Sequence, residues 1–259
     1  MSKINLIDLQ KRKFQASYLA WFVFTKNIKV RLSSCIEVQT LYCIYGIDKL
    51  GNRQVLGMFF ENENDNRFWL EVFEDFKARN AQNVFFIVTP NNRNLERCVK
   101  IVYNSIRVVH SPDSIIESIT KYFSDKPSRA LRTSFKNLFL AKDLQALELE
   151  LQFFKDKYID NKVILMLLGR KELEIKKFYQ YSYDIRKFLY PYYALHEFKK
   201  FLNKLNTLDN LSCSINEIIE FCLPYINHFE LGRTQYKSEW LNLISIFYET
   251  FSNEMEVYI

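Results

Sequence analysis

The sequence changes its apolar period once, and that change limits the fold more than any other feature. Up to residue 111 apolar residues alternate or run together as in strands, interrupted by two helical stretches; beyond Ser111-Pro112 they recur only at helical spacing. The strand patterns are Trp21 to Val30, Cys35 to Gly46 and Arg53 to Phe60, the last following the polar turn Asp48 to Asn52. Phe68, Trp69, Val72, Phe73 and Phe76 then predict a helix over Asn64 to Asn80, with Asp65 placed to cap it. Asn83 to Thr89 is almost wholly apolar, so it predicts a strand buried on both faces at a sheet centre. A helix over Leu95 to Tyr103 and a strand over Ser105 to Val109 complete the first part.

Ser111 as N-cap and Pro112 at the first helical position open the helical half. Helices are predicted over Pro112 to Phe123, Pro127 to Phe139, Asp143 to Tyr158, Glu172 to Tyr179, Ala194 to Leu205, Ser214 to Cys222 and Tyr236 to Met255. Ser214 and Glu217 form a capping-box pattern. This order predicts an α/β protein: a mixed sheet of about five strands with flanking helices, a large helical insertion and a helical C-terminal part. The expected division is a segment 1–17, then one domain over 18–259, with a sheet core 18–111, a helical insertion 112–180 and C-terminal helices 181–259.

Composition supports this reading. The 259 residues include 39 Phe and Tyr but only 10 Gly and Pro, which favours regular elements packed through aromatic rings. The longest apolar runs, Tyr18 to Phe24 and Val163 to Leu168, are far shorter than the roughly 20 residues a membrane helix needs. Residues 1–17 carry Lys3, Lys11, Arg12 and Lys13 without a secretory apolar core, so a cytoplasmic location and no membrane partner are expected. Cys35, Cys43, Cys98, Cys213 and Cys222 show no zinc spacing and are expected to be buried small hydrophobes.

Residues 162–206 hold ten Lys or Arg against four acids, an excess equal to the net charge of the whole chain, +6. Tyr181, Tyr183, Tyr190 and other aromatics lie among them, as on surfaces that neutralise phosphates and stack on bases. An amphipathic helix pair with solvated lysines gives the same pattern.

Several strings then become specific in combination. Gly46-Ile47-Asp48 leads through Gly51 and Arg53 to Val55-Leu56-Gly57; Arg67-Phe68-Trp69 leads through Val72-Phe73 to Phe76-Lys77 and Arg79. With Phe135 to Tyr158 and the string Asp184 to Tyr190, the chain resembles the Mutator-type insertion-sequence transposases from about residue 18 to 251. The resemblance implies an RNase H-like domain that cuts and joins DNA through three acids holding two Mg²⁺ ions. It also implies end-binding helices N-terminal to the first strand, which this chain is expected to lack.

The acids are missing at the corresponding positions. Lys29-Val30-Arg31 resembles the family's Lys-x-Arg, which puts the first acid position at Phe24; the second falls on Pro90 and the third on His196. The family's Cys-x-x-His element maps onto Ser111 and Ser114, with His110 out of register, so His110 and His228 are expected to be structural. No catalytic residue, metal ligand or cofactor is therefore expected. A relocated set of Glu37, Asp48 and Glu197 is the alternative that keeps activity. Weak, non-specific DNA binding is expected through Lys29, Arg31, Lys176, Lys177, Arg186, Lys187, Lys199, Lys200 and Lys204. The alternative is a protein-interaction or dimerisation module on the same fold, and a homo-oligomer fits either reading.

Overall fold

The computed structural model describes residues 6–33, 35–61, 66–120, 129–190, 204–205, 213–232 and 237–258. A short helix α1 (Leu6–Lys11) precedes β1 (Ser17–Arg31), β2 (Ile36–Ile47) and β3 (Arg53–Glu61). Then come α2 (Asn66–Ala78), β4 (Asn83–Thr89), α3 (Arg93–Val102) and β5 (Arg107–His110). The strands form one mixed sheet in the order β3-β2-β1-β4-β5, with β1 antiparallel to β2, β2 antiparallel to β3, and β1 parallel to β4. This is the five-stranded α/β sheet expected, in an arrangement consistent with an RNase H-like fold.

Among the described residues helices alone follow: α4 (Pro112–Thr120), α5 (Arg129–Leu140), α6 (Leu144–Lys157), α7 (Lys162–Phe178) and α8 (Tyr183–Leu189), then α9 (Ile215–Leu231), α10 (Lys237–Met255) and a 3₁₀ turn, Glu256–Tyr258. The chain divides into two compact units: Met1–Val108 with Tyr192–Ile259, and Val109–Pro191.

Four helices differ from the sequence reading, the first being α1, which lies in the segment 1–17 where no helix is predicted. α7 begins ten residues earlier than Glu172, because Asn161 accepts the Ile164 N–H and so caps a start that the unbroken run Val163 to Leu168 conceals. α8 was not anticipated as a helix. α9 continues through Pro224 to Leu231, well past Cys222. Asp65 and most of Ala194 to Leu205 lie outside the described residues. The cysteines also need correction: Cys43, Cys98 and Cys222 are buried, but Cys35 is exposed and Cys213 half-buried.

The sheet unit is built on rings. On one face Trp21 stacks parallel to Phe73 at 6.3 Å and meets Phe76 and Tyr103 edge-on at 5.4 and 5.0 Å. Trp69, Leu95, Cys98 and Val99 from α2 and α3 close this core. On the other face, Phe86 of β4 meets Phe247 of α10 at 6.0 Å, and Tyr45 of β2 meets Phe229 of α9 at 4.9 Å.

The free edge of β3 is covered by a side-chain pair. Arg12 and Glu230 form an ion pair at 2.6 Å; the Arg12 guanidinium donates to the Val55 carbonyl while the Glu230 carboxylate accepts the Val55 N–H at 2.6 Å. Together they satisfy the donor and acceptor that a further strand would take, which protects the edge from pairing with another chain.

Candidate functional site

The parallel register sets the geometry of the expected active site. Phe22 pairs with Val88, so Phe24 stands two residues further along β1, level with Pro90, the residue that follows β4. The fold therefore brings these two positions together. Neither side chain offers an oxygen. Phe24 lies nearly parallel to Tyr45 at 5.6 Å, and Phe22 stacks on the same ring at 5.0 Å, so this part of the sheet is filled with stacked aromatics. The Thr89 hydroxyl is fully buried and donates to the Pro90 carbonyl. Asn92 is committed too: it caps α3 through the Leu95 N–H and donates to the Tyr42 hydroxyl. These residues do not fit a pair of magnesium ions, which needs several hard oxygen ligands. His196 lies outside the described residues.

The relocated acid set fails on distance. Glu37 lies near the start of β2 and Asp48 just beyond its end. Eleven residues of extended chain separate them by roughly 36 Å, whereas two catalytic metal ions stand only about 4 Å apart. Asp48 is also fully used in its turn, where its carboxylate accepts the Leu50 and Asn52 N–H groups and the Asn52 amide. Glu197 is outside the described residues. Among the described residues no three His, Cys, Asp or Glu side chains gather as metal ligands would.

His110 ends β5 and pairs through Nδ1 with Glu174, whose other oxygen takes the Lys171 ammonium at 2.8 Å. The His110 hydrogen bond, aided by Lys171, holds the Glu174 carboxyl down at about 2 against the opposing effect of burial. His110 thus has a carboxylate partner within the helical unit. His228 is exposed on α9.

Among the described residues the expected basic contacts differ in burial and pairing. Arg186 is a correction: it is only 2% exposed, donates to the carbonyls of Tyr181, Ala141 and Lys142, and lies 3.8 Å over the Tyr179 ring. A guanidinium so enclosed cannot be a surface phosphate contact. Lys176 is shared between Glu148 at 2.8 Å and Glu172 at 3.0 Å, and Arg31 pairs with Glu217 at 3.0 Å. Lys177 and Lys187 are exposed in the helical unit, and Lys29 and Lys204 in the sheet unit, where Lys204 lies 4.8 Å over the Tyr225 ring. Lys199 and Lys200 lie outside the described residues. Sequence charge alone had no means to separate Arg186 from Lys187; the signal was the apolar company of Ile185, Phe188 and Leu189, all buried.

No helix among the described residues is long and apolar enough to cross a membrane. Comparison with known proteins adds the lineage. The chain matches the family described as Transposase, Mutator family, over residues 3–203. It is 20% identical over 190 residues to the transposase for insertion sequence element ISRM3 of Rhizobium meliloti (strain 1021), covering 73% of this chain and 48% of that protein. It is 22% identical over 117 residues to the transposase for insertion sequence element IS256 in transposon Tn4001 of Staphylococcus aureus, covering 45% of this chain and 30% of that protein. The chain thus spans about half the length of the first of these relatives, or less. A match over most of its length means that the chain belongs to the Mutator family of transposases.

Proposed function

We propose that this chain is a transposase-derived module that holds DNA weakly and does not cut it. The carrying observation is the Phe24 and Pro90 pair: two adjacent positions where the family resemblance calls for acids present a stacked aromatic ring and a pyrrolidine ring. In-line phosphoryl transfer needs oxygen ligands for both metal ions, and these positions supply no side-chain donor. DNA contact on this reading comes from exposed cations such as Lys177 and Lys187. It should be non-specific and should weaken steeply with salt, because each neutralised phosphate releases counterions.

Two measurements test it. With Mg²⁺ and nicked or branched DNA the protein should give no cleavage, and Phe24→Asp alone should not create any, since Pro90 still faces the new carboxylate. Robust cleavage by the unmodified chain would overturn the reading. In a salt titration of duplex binding, Lys177→Glu with Lys187→Glu should reduce both the affinity and its salt dependence; unchanged affinity removes these residues from the contact.

A second reading, a dimerisation module, is favoured by one observation. On α7, Val163, Met166, Arg170 and Leu173 fall on one exposed stripe at coiled-coil spacing, and on α6 Leu149 and Phe153 are exposed one turn apart. Sedimentation that stays monomeric at high concentration would exclude this reading.

A further inference from the structure

Arg186 sits at the floor of an open cavity of about 460 Å³ within the helical unit, lined also by Lys142, Asp143, Leu144, Ser182 and Tyr183. Its charge is buried, as is that of Arg53, which lies over the Phe229 ring. Arg12, also largely buried, is neutralised by Glu230. Arg186 has carbonyl acceptors only: Tyr181, Ala141 and Lys142 take three of its five N–H groups, and its Nε is buried without a partner among the described residues. A guanidinium removed from water with no carboxylate paired directly to it is costly, and carbonyl dipoles with the more distant Asp143 offset only part of that cost.

The rim supplies the rest of an anion site. The cavity opens at the start of α6, a helix of 14 residues, where Asp143 caps the Ala146 N–H. The N–H groups of Leu144 and Gln145, in the same first turn, have no partner among the described residues, as helix starts leave them. The Lys142 side chain is exposed there, and the Ser182 hydroxyl makes no capping bond to α8. Tyr183, 40% exposed, presents its ring at the mouth, 5.9 Å from the Arg186 guanidinium carbon. The opposing feature is the Asp143 carboxylate, which acts electrostatically on Arg186 from the same rim.

We propose that this cavity binds a phosphate group, held by the Leu144 and Gln145 N–H groups and Lys142 above the buried Arg186 charge. The site stands on the geometry of the helical unit alone; that the phosphate belongs to a DNA backbone rests on the function proposed above. On that assignment Arg186 contributes to DNA binding from beneath the surface as a fixed positive field, while Lys142 makes the contact.

The full chain is titrated with inorganic phosphate while the backbone amide resonances of Leu144 and Gln145 are followed, then with a short DNA duplex at fixed salt. Two rim variants leave the core intact. Asp143→Asn keeps a good cap and removes the only acid at the rim; Lys142→Ala removes the ammonium. Phosphate should shift both amides saturably, with Asp143→Asn binding about five-fold more tightly and Lys142→Ala about five-fold more weakly, each roughly one charge contact at a helix start. Unmoved amides, or affinities unchanged by both variants, overturn the site. If duplex binds while phosphate leaves these amides unmoved, the cavity is discarded and the DNA reading stands. If phosphate saturates the site and duplex does not bind, the cavity stands and the DNA reading falls.

Discussion

In the sheet unit Trp21 is enclosed by Phe73, Phe76 and Tyr103, and its neighbours are rings and aliphatic chains; in the helical unit Arg186 is enclosed by three carbonyls and Tyr179. The contrast extends outward. Around α6 and α7 a chain of ion pairs runs from Glu148 to Lys176 to Glu172 to Lys155, and His110, Glu174 and Lys171 form a second group. Apolar burial is non-directional and insensitive to pH and moderate salt, whereas directed polar contacts depend on protonation and geometry. The sheet unit has charge pairs of its own, Arg12 with Glu230 and Arg31 with Glu217, so the difference lies in what fills the two buried centres: rings around Trp21, polar contacts around Arg186.

The largest expected effect is on the scaffold. Trp21→Ala removes a fully buried ring against which Tyr18, Phe73, Phe76 and Tyr103 pack and should cost about 3–5 kcal/mol in urea unfolding, enough to leave the sheet unit marginal. A loss under about 1 kcal/mol would mean that the aromatic core is not what holds this unit.

Next comes Arg186→Met, which keeps the stem over Tyr179 but leaves the Tyr181, Ala141 and Lys142 carbonyls without their donor. A loss of about 2 kcal/mol is expected, seen as faster amide exchange in α8, because under-satisfied buried acceptors each cost about 1 kcal/mol or more. An unchanged or raised stability would show that the buried charge is a burden on the folded state, and would sharpen the case for an anion above it.

Acid should act on the helical unit through Glu174. Glu174 has its carboxyl held at about 2, against a usual 4.5. The folded state therefore gains from its ionised form above pH 4.5, and that gain is lost as the pH falls from 4.5 toward 2. The helical unit should weaken over this range in a manner that His110→Ala reduces, because the His110 hydrogen bond is the main cause of the shift. Equal acid sensitivity in wild type and His110→Ala would break the assignment.

The smallest effect is expected at Lys176. Its pairs with Glu148 and Glu172 are partly exposed, and Lys176→Ala should change stability by less than about 1 kcal/mol, an effect that salt abolishes.

The elements themselves were largely readable. The strand Asn83–Thr89 has the bounds that its apolar run implied, and the Asp143 and Ser214 caps stand where their residue types called for them. Local chemistry is sufficient for such features, because a cap or an apolar run acts within a few residues. α7 was half missed for a related reason: six consecutive apolar residues carry no period, so the helix could be recognised only where Glu172 and its neighbours restored one.

The sequence by itself determined that Phe24 and Pro90 carry no acid, that five strands precede a helical half, and that positive charge gathers after residue 161. Tertiary structure alone decided that Phe24 and Pro90 stand at one level, through a parallel pairing of strands some sixty residues apart. It also decided that Arg186 turns inward while Lys187 stays in solvent. Adjacent helical residues point about 100° apart, and which of them meets the core depends on where neighbouring helices lie, a question that residue type and spacing leave open.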